Sequence, residues 1–294
     1  MASLPDEKLI TDINIPGTHD SATCFVAFSF ISRTQHLTVD EQLENGVRYF
    51  DFRFRYENDV FKASHSIATC KKSKGLFAQE LTAADIVKMC LEFLEKNPTE
   101  TILFQLKETI SGTGDRFYSD FYERYIRDNQ NKWYLKNAIP TIGEARGKIV
   151  LLRVVSADKE KFDDTDSGID FTSYPYVGTK QVDSWFKSDI CRLVTSEKYA
   201  TMFVQDSYKV EGKKKWGTVT RFLENKDECD FKICLTSCTC CFVPSINVRY
   251  INKQLKKYDF TAGKRYGIVA SDYTDSEICN SIINSNFSKK QLKK

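Results

Sequence analysis

Short apolar or β-branched runs, separated by polar turns, recur along the chain at Asp12–Ile15, Val47–Phe54, Val60–Ala63, Thr101–Leu106, Lys148–Val154, Thr201–Gln205, Phe231–Leu235 and Tyr266–Ala270. Each has the length of a strand, and several lead through a polar turn into a stretch with helical spacing. The clearest helix covers Thr82–Lys96. There Thr82 and Asp85 make a capping box, Ile86, Met89, Cys90, Phe93 and Leu94 fall on one face, and Asn97-Pro98 stops the helix. Eight strands with interleaved helices over this length predict an α/β fold, a closed parallel TIM-like (β/α)8 barrel. Between Arg55 and Val60 there is no room for a helix, so the barrel is expected to be irregular. Nothing resembling a repeat, a low-complexity segment or a Pro/Gly/Ser linker interrupts residues 1–294, which predicts a single domain.

Composition narrows the class. With 41% hydrophobic and 13% aromatic residues, the chain can bury a sizeable core. Its longest apolar stretch, Cys24–Ile31, falls far short of the roughly 20 residues a spanning helix needs, and the first residues lack a signal-peptide core. Ten cysteines without a secretory signal suit free thiols in a reducing compartment. The expected location is therefore cytoplasmic with peripheral membrane association, although the processed form of an exported protein would read alike. The net charge of +3 is mild and gives no sign of nucleic-acid binding. Positive charge gathers at Lys213–Lys215, Lys253/Lys256/Lys257 and Lys289/Lys290/Lys293/Lys294, in clusters that suit either anionic lipid or ordinary solvated faces. No obligate protein partner is evident, and a monomer is expected.

Barrel enzymes carry their reactive side chains just beyond the carboxyl ends of the strands. Applied as a filter, that rule selects His19, Asp20, Asp51, Arg53, His65, Lys107, Arg153, Asp206 and Asp272. The chain has only three histidines, and His19 and His65 both fall at strand ends. Two imidazoles suit a transfer in which one removes a proton from an attacking hydroxyl and the other protonates a leaving oxygen. Each needs a carboxylate to orient it, and Asp272 and Asp20 are the candidates. Asp51 and Arg53 are two apart and share a strand face, so they either form a structural ion pair or present a guanidinium to a phosphodiester oxygen.

Five blocks carry a family resemblance: Ile15-Pro16-Gly17-Thr18-His19-Asp20-Ser21, Gly46–Arg53, Asn97–Ile102, Gly147–Leu152 and Val204-Gln205-Asp206-Ser207-Tyr208-Lys209. In sequence order they resemble the bacterial-type, metal-independent phosphatidylinositol-specific phospholipases C of the X-domain family. The resemblance implies a distorted TIM barrel in which the inositol 2-hydroxyl attacks phosphorus, expelling diacylglycerol and leaving inositol 1,2-cyclic phosphate. It implies that His19 is the base, oriented by Asp272, and that His65 is the acid, assisted by Asp20. It also implies that Arg53, held by Asp51, binds a phosphate oxygen, and that Lys107, Asp206 and Tyr208 contact the headgroup. No cofactor and no metal are expected, because Arg53 stands where calcium-dependent relatives place an acidic ligand. Free phosphatidylinositol and glycosylated anchors share the inositol phosphodiester, so both fit as substrates.

One departure concerns the inositol pocket. The arginine that touches inositol in the family aligns with Val154, so Arg153 serves only if it reaches round from the other strand face. At the barrel mouth, Phe25, Val26, Phe28 and Phe30 form an apolar rim suited to lipid, or else pack in the core. Cys238, Cys240 and Cys241 are also expected at this rim; for them inert buried thiols lead over S-acylation, and a zinc site lacks its second cysteine pair. Two further readings keep the barrel: a glycerophosphodiester phosphodiesterase, which needs a metal held by several carboxylates, and a catalytically inactive lipid-binding module.

Overall fold

The computed structural model describes residues 1–75, 77–110, 112–174, 186–192, 199–226, 228–238, 244–288 and 291. Its strands are β1 Ile15–Thr18, β2 Tyr49–Glu57, β3 Val60–His65, β4 Ala68–Thr69, β5 Ile102–Glu108, β6 Trp133–Tyr134, β7 Ile149–Arg153, β8 Ile169–Asp170, β9 Phe186–Arg192, β10 Tyr199–Gln205, β11 Phe231–Leu235 and β12 Ile268–Ser271. Its helices are α1 Ser29–Ser32, α2 Val39–Glu44, α3 Ala83–Lys96, α4 Asp115–Phe121, α5 Ile142–Ala145, α6 Gly212–Glu224, α7 Pro244–Lys257 and α8 Ser276–Asn284. No helix among the described residues is long and apolar enough to cross a membrane.

The sheet follows the order β6-β7-β5-β2-β1-β12-β11-β10-β9. From β7 to β10 neighbouring strands are parallel, as the alternation of strands and helices predicts. The irregularity lies at the edges. Strands β6 and β8 both pair with β7, while β9 returns antiparallel to β10. No ladder joins β8 to β9 among the described residues; the hydroxyls of Ser173 and Ser188 meet there at 2.8 Å. The result is a curled, TIM-like sheet with a seam where a regular barrel would close.

Strand alternation divides the apolar residues into an inner core and outer layers. Along β2, Phe50, Phe52 and Phe54 enter an outer core with Phe104, Leu106, Ile86 and Phe121, whereas Tyr49 enters the lumen with Leu103, Val150, Leu152, Val204, Ile233 and Ala270. A further outer core packs α6, α7 and α8 against β10–β12 through Val219, Phe222, Ile251, Leu255, Ile278 and Val269. Burying each such side chain contributes about 1.5–3 kcal/mol. Gly17 in β1 is required by this packing, since a Cβ there would lie 2.7 Å from the Tyr49 ring.

The expected helix forms as α3, with Thr82 as its cap and a complete Thr82/Asp85 capping box. Two expected strands differ from the structure: Asp12–Ile15 is displaced, since Ile10–Asp12 is a 3-10 turn and β1 is Ile15–Thr18, and Val60–Ala63 is not a parallel barrel strand. Val60–Ala63 belongs to β3, which is the antiparallel return of a hairpin from β2. Asn58 and Asp59 form its tip with φ of 49° and 59°, the left-handed pair that a two-residue hairpin needs. The four-residue gap that ruled out a helix is therefore a hairpin turn.

Candidate active site

His19 follows β1 directly, and Asp20 turns the chain through a left-handed φ of 43°. That conformation is costly for a residue with a Cβ, so it needs support from outside the turn. The Asp20 N–H donates to Asp51 Oδ2 at 3.3 Å, the Ser21 N–H donates to the Asp51 carbonyl at 3.1 Å, and Gln42 Nε2 donates to the Ser21 carbonyl at 2.8 Å. Gln35 Nε2 bridges the His19 and Ser271 carbonyls, both at 2.9 Å, and so ties the end of β1 to the end of β12. That tie sets the imidazole beside Asp272. His19 Nδ1 lies 2.9 Å from Asp272 Oδ1, and His19 Nε2 lies 3.3 Å from Asp20 Oδ2. Burial alone lowers the imidazole pKa, but the carboxylates of Asp20 and Asp272 outweigh it and lift the group to about 9.

Arg53 and Asp51 share the lumen face of β2, as their spacing predicts. Arg53 Nη2 donates to Asp51 Oδ2 at 2.6 Å, and Arg53 Nε lies 2.8 Å from Asp20 Oδ1. The guanidinium keeps 18% of its side-chain surface exposed, so the ion pair leaves part of it open to a ligand. Gln105 Nε2 donates to Asp51 Oδ1 at 2.9 Å, and Gln105 Oε1 accepts from the Tyr49 hydroxyl at 2.8 Å. Burial opposes ionisation of Asp51, yet Arg53, Lys107 and the Arg53 hydrogen bond hold it well below the usual carboxylate range.

His65 arrives by a route the barrel rule does not foresee. It ends β3, which descends from the hairpin tip, and its Nε2 comes within 3.2 Å of Asp20 Oδ2. Both catalytic-type imidazoles therefore point an Nε2 at one carboxylate oxygen, with Arg53 on the other. His19, Asp20 and Asp51 also present ligand atoms close enough to hold a metal ion. Arg53 already engages both carboxylates, so a cation there would have to displace a guanidinium.

The expected headgroup residues divide. Lys107 neighbours Arg53 in the parallel register of β5 and β2, and its ammonium sits over the Tyr174 ring at 5.6 Å. Burial and Arg53 push that ammonium pKa down, while Asp51, Asp20 and Asp206 push back. Asp206 follows β10. Burial raises its pKa, opposed by the positive charge of His19, Lys215, Arg53 and Lys107, and its Oδ1 is buried without a hydrogen-bond partner. Tyr208 stands half-buried nearby, within the field of Asp206.

Arg153 does not reach the site. It points to the outer face of β7, where Nε donates to the Ser167 carbonyl at 2.8 Å, Nη1 donates to the Val155 carbonyl at 2.5 Å and Nη2 faces Asp170 at 3.4 Å. Strand alternation is the reason, and no bulge rescues it; Val154 packs in the lumen core.

The rim is smaller than expected. Phe28 and Phe30 are 64% and 71% exposed, joined by Ile31 and by Ile67 from the β3–β4 turn. Phe25 is half-buried, and Val26 is buried where it bridges to Cys70. Cys238 is buried, its Sγ donating to the Val210 carbonyl at 2.7 Å, which removes it from the rim. Cys240 and Cys241 lie outside the described residues. The basic clusters also divide: Lys215 is wholly buried beside exposed Lys213 and Lys214, and Lys256 pairs with Asp275 and Glu277. His36, the third histidine, stacks on Tyr273 away from the acid/base pair.

Sequence reasoning missed Gln35, Gln105 and Lys215. Gln105 had a signal, since it stands two before Lys107 just as Asp51 stands two before Arg53. Gln35 lies in a loop, and Lys215 hides in a lysine run; neither has a local pattern.

A family model described as PI-PLC X 1 matches residues 7–142. The 1-phosphatidylinositol phosphodiesterase of Listeria monocytogenes is 29% identical over 168 residues, 52% of this chain and 47% of that protein. The Staphylococcus aureus protein of the same name is 30% identical over 161 residues, 51% and 49% of the two chains. The chain thus spans about half the length of the curated relatives it matches. In fold the likeness is wider: a crystal structure of the phosphatidylinositol-specific phospholipase C from Staphylococcus aureus superposes with a TM-score of 0.76 at 23% identity, covering 98% of this chain and 96% of that one. Residues 7–142, which hold His19, Asp20, Asp51, Arg53, His65 and Lys107, thus match the PI-PLC X family model, and the chain as a whole is similar in fold to the bacterial phosphatidylinositol-specific phospholipases C.

Proposed function

We propose that this chain is a metal-independent phosphatidylinositol-specific phospholipase C that converts phosphatidylinositol, or the same diester in a glycosylated anchor, to diacylglycerol and inositol 1,2-cyclic phosphate. The observation that carries the reading is the convergence of His19 Nε2, His65 Nε2 and Arg53 Nε on Asp20. A phosphodiester entering this gap meets a base, an acid and a guanidinium within one phosphate's reach. The names of the relatives from Listeria monocytogenes and Staphylococcus aureus point the same way.

In the empty site His19 is an imidazolium between Asp272 and Asp20. Headgroup binding brings the 2-hydroxyl to Nε2, where Asp20 now stands, and the ring loses one of the two carboxylates that raise its pKa. His19 then takes the hydroxyl proton while Asp272 holds the tautomer. The new O–P bond forms as the bond from phosphorus to the diacylglycerol oxygen breaks, and His65 delivers a proton to that oxygen. Arg53 neutralises the charge that builds on the phosphoryl oxygens, which is the service a metal ion performs in other phosphodiesterases. Lys107, Asp206 and Tyr208 bind the inositol ring, and Phe28 and Phe30 enter the lipid surface while the protein acts as a peripheral monomer. An inactive lipid-binding barrel would have no use for two oriented imidazoles on one carboxylate.

Phosphorus NMR of phosphatidylinositol vesicles treated in excess EDTA tests this reading. The expected product is the five-membered cyclic phosphodiester. A phosphomonoester appearing first, or turnover only after calcium is restored, would overturn it.

A further inference from the structure

Lys215 is a buried cation that this chemistry leaves unused. It lies in the second turn of α6, between the mouths of β10 and β11, and its side chain is completely buried. Its Nζ donates to Gln205 Oε1 at 3.1 Å, and Cys234 Sγ contacts the same oxygen at 3.9 Å. Among the described residues no carboxylate lies within ion-pair distance of it. A buried ammonium without a contact ion pair is costly, and an apolar side chain of similar volume is often as stable or more so. Stability alone therefore gives no reason for a lysine here.

Its position gives one. Gln205, which holds the ammonium, is the residue before Asp206; burial pushes the Lys215 pKa down, and the carboxylates of Asp206 and Asp272, with the thiols of Cys234 and Cys238, push it back up. Asp206 in turn faces His19 from the end of β1, Arg53 from β2, Lys107 from β5 and Lys215 from α6, along with Tyr49, Tyr174 and Tyr208. Of these cations, His19 and Arg53 serve the phosphate and Lys107 the inositol ring on the proposed reading, and only Lys215 stands behind the headgroup wall. Asp206 Oδ1, Ser237 Oγ, Thr236 Oγ1 and Gln205 Nε2, at the ends of β10 and β11, are buried without hydrogen-bond partners, and of these four residues only Asp206 keeps part of its surface exposed to a ligand. Val154 contributes no charge to the wall.

Building on the phospholipase reading, the geometry points to Lys215 as a positioning residue for headgroup recognition: its buried ammonium is the fixed positive charge against which Asp206 stands as a carboxylate, accepting hydrogen bonds from the inositol hydroxyls. Lys215 touches no substrate. It acts through Asp206, and its loss weakens ring binding while leaving the acid/base pair in place.

The test is the inhibition constant of myo-inositol against phosphatidylinositol cleavage, measured from pH 4 to pH 8. Lys215→Met is expected to raise the constant about tenfold. Removing a cation makes Asp206 easier to protonate, so the pH below which binding fails moves up by about one unit. Lys215→Arg keeps both near their wild-type values, and in an Asp206→Asn background Lys215→Met adds nothing further. A constant and a profile identical to the wild type's, or full additivity with Asp206→Asn, would overturn the inference.

Should the uncharged variant fail to fold, the coupling is read in the other direction. Asp206→Asn is expected to lower the pH at which the Lys215 Cε resonance titrates, and an unmoved titration overturns the inference equally. A wild type that does not cleave phosphatidylinositol defeats the function itself. Cleavage with normal inositol inhibition and a silent Lys215 defeats only this assignment.

Discussion

The two walls of the barrel mouth are built on opposite principles. On the wall made by β1, β2, β3 and β5, each carboxylate oxygen of Asp20 and Asp51 faces an imidazole, a guanidinium or an N–H donor. On the wall made by β10, β11 and β12, Gln205 Nε2, Asp206 Oδ1, Thr236 Oγ1, Ser237 Oγ, Ser271 Oγ and Asp272 Oδ2 are buried without a hydrogen-bond partner. Buried polar atoms normally find partners; Asp20 Oδ1 and Oδ2 on the first wall also lack hydrogen bonds, but each faces a guanidinium or an imidazole within 3.3 Å, so that wall is held by charge pairs. A site that handles a phosphodiester needs its charges fixed before the reaction, because reorganising them during it raises the barrier. A site that recognises a polyol needs acceptors and donors held open for the ligand. On the proposed reading the first wall carries the acid/base pair and Arg53, with Asp272 reaching across to His19 from the second, and Asp206 on the second meets the headgroup opposite Lys107.

The sharpest way to break this contrast is to empty the first wall. Arg53→Met is expected to lower kcat by about a thousandfold or more, the scale of losing a charge-stabilising donor in a dry site, measured on phosphatidylinositol vesicles. A loss under tenfold would mean that Arg53 is merely the structural partner of Asp51.

The first wall also predicts a pH dependence of stability. Burial lowers the His19 pKa but Asp20 and Asp272 outweigh it, taking it from 6.5 to about 9. A raised pKa stabilises the folded state fully below the unfolded value and loses that contribution as pH climbs through the folded one. Relative to His19→Gln, the wild type should therefore lose up to about 3 kcal/mol of unfolding free energy between pH 6.5 and pH 9. Urea melts across that window check it, and a constant difference would contradict the charge assignment.

Arg153 tests the boundary of the second wall. Its guanidinium serves Ser167, Val155 and Asp170 outside the lumen, so Arg153→Met should cost about 2 kcal/mol of stability and leave inositol inhibition as it was. A weakened inositol constant in a folded variant would return Arg153 to the pocket. The smallest effect concerns the buried, unpaired hydroxyl of Ser237 at the end of β11. Ser237→Ala should change stability by less than about 1 kcal/mol, since no bond is broken, yet raise the inositol constant a few-fold. A large loss of stability with unchanged inhibition would make that wall an ordinary core.

Much of this was legible in the chain. Strand alternation placed Asp51 and Arg53 on one face and Arg153 on the other, and the strand-end rule found His19, Lys107, Asp206 and Asp272 because parallel strands share a direction. It named His65 too, for a reason that does not hold, since β3 runs the opposite way. Asn58-Asp59 was the clue, a left-handed pair whose hairpin brings the second imidazole down from above. The edges, where β6, β8 and β9 replace a regular closure, carry short strands with weak periodicity. Gln35 and Lys215 matter through contacts distant in sequence, with Ser271 and with the field at Asp206 and Asp272, and local patterns do not record those.

The central claim is that His19 and His65 divide proton removal and proton delivery between them. Cleavage of phosphatidylinositol vesicles in EDTA by the wild type, His19→Ala and His65→Ala tests it most directly. Each variant should lose about 3 kcal/mol or more of transition-state stabilisation, and His65→Ala should recover on a substrate whose leaving group needs no proton while His19→Ala does not. Wild-type rates in either variant, or recovery of both on the activated substrate, would contradict the account.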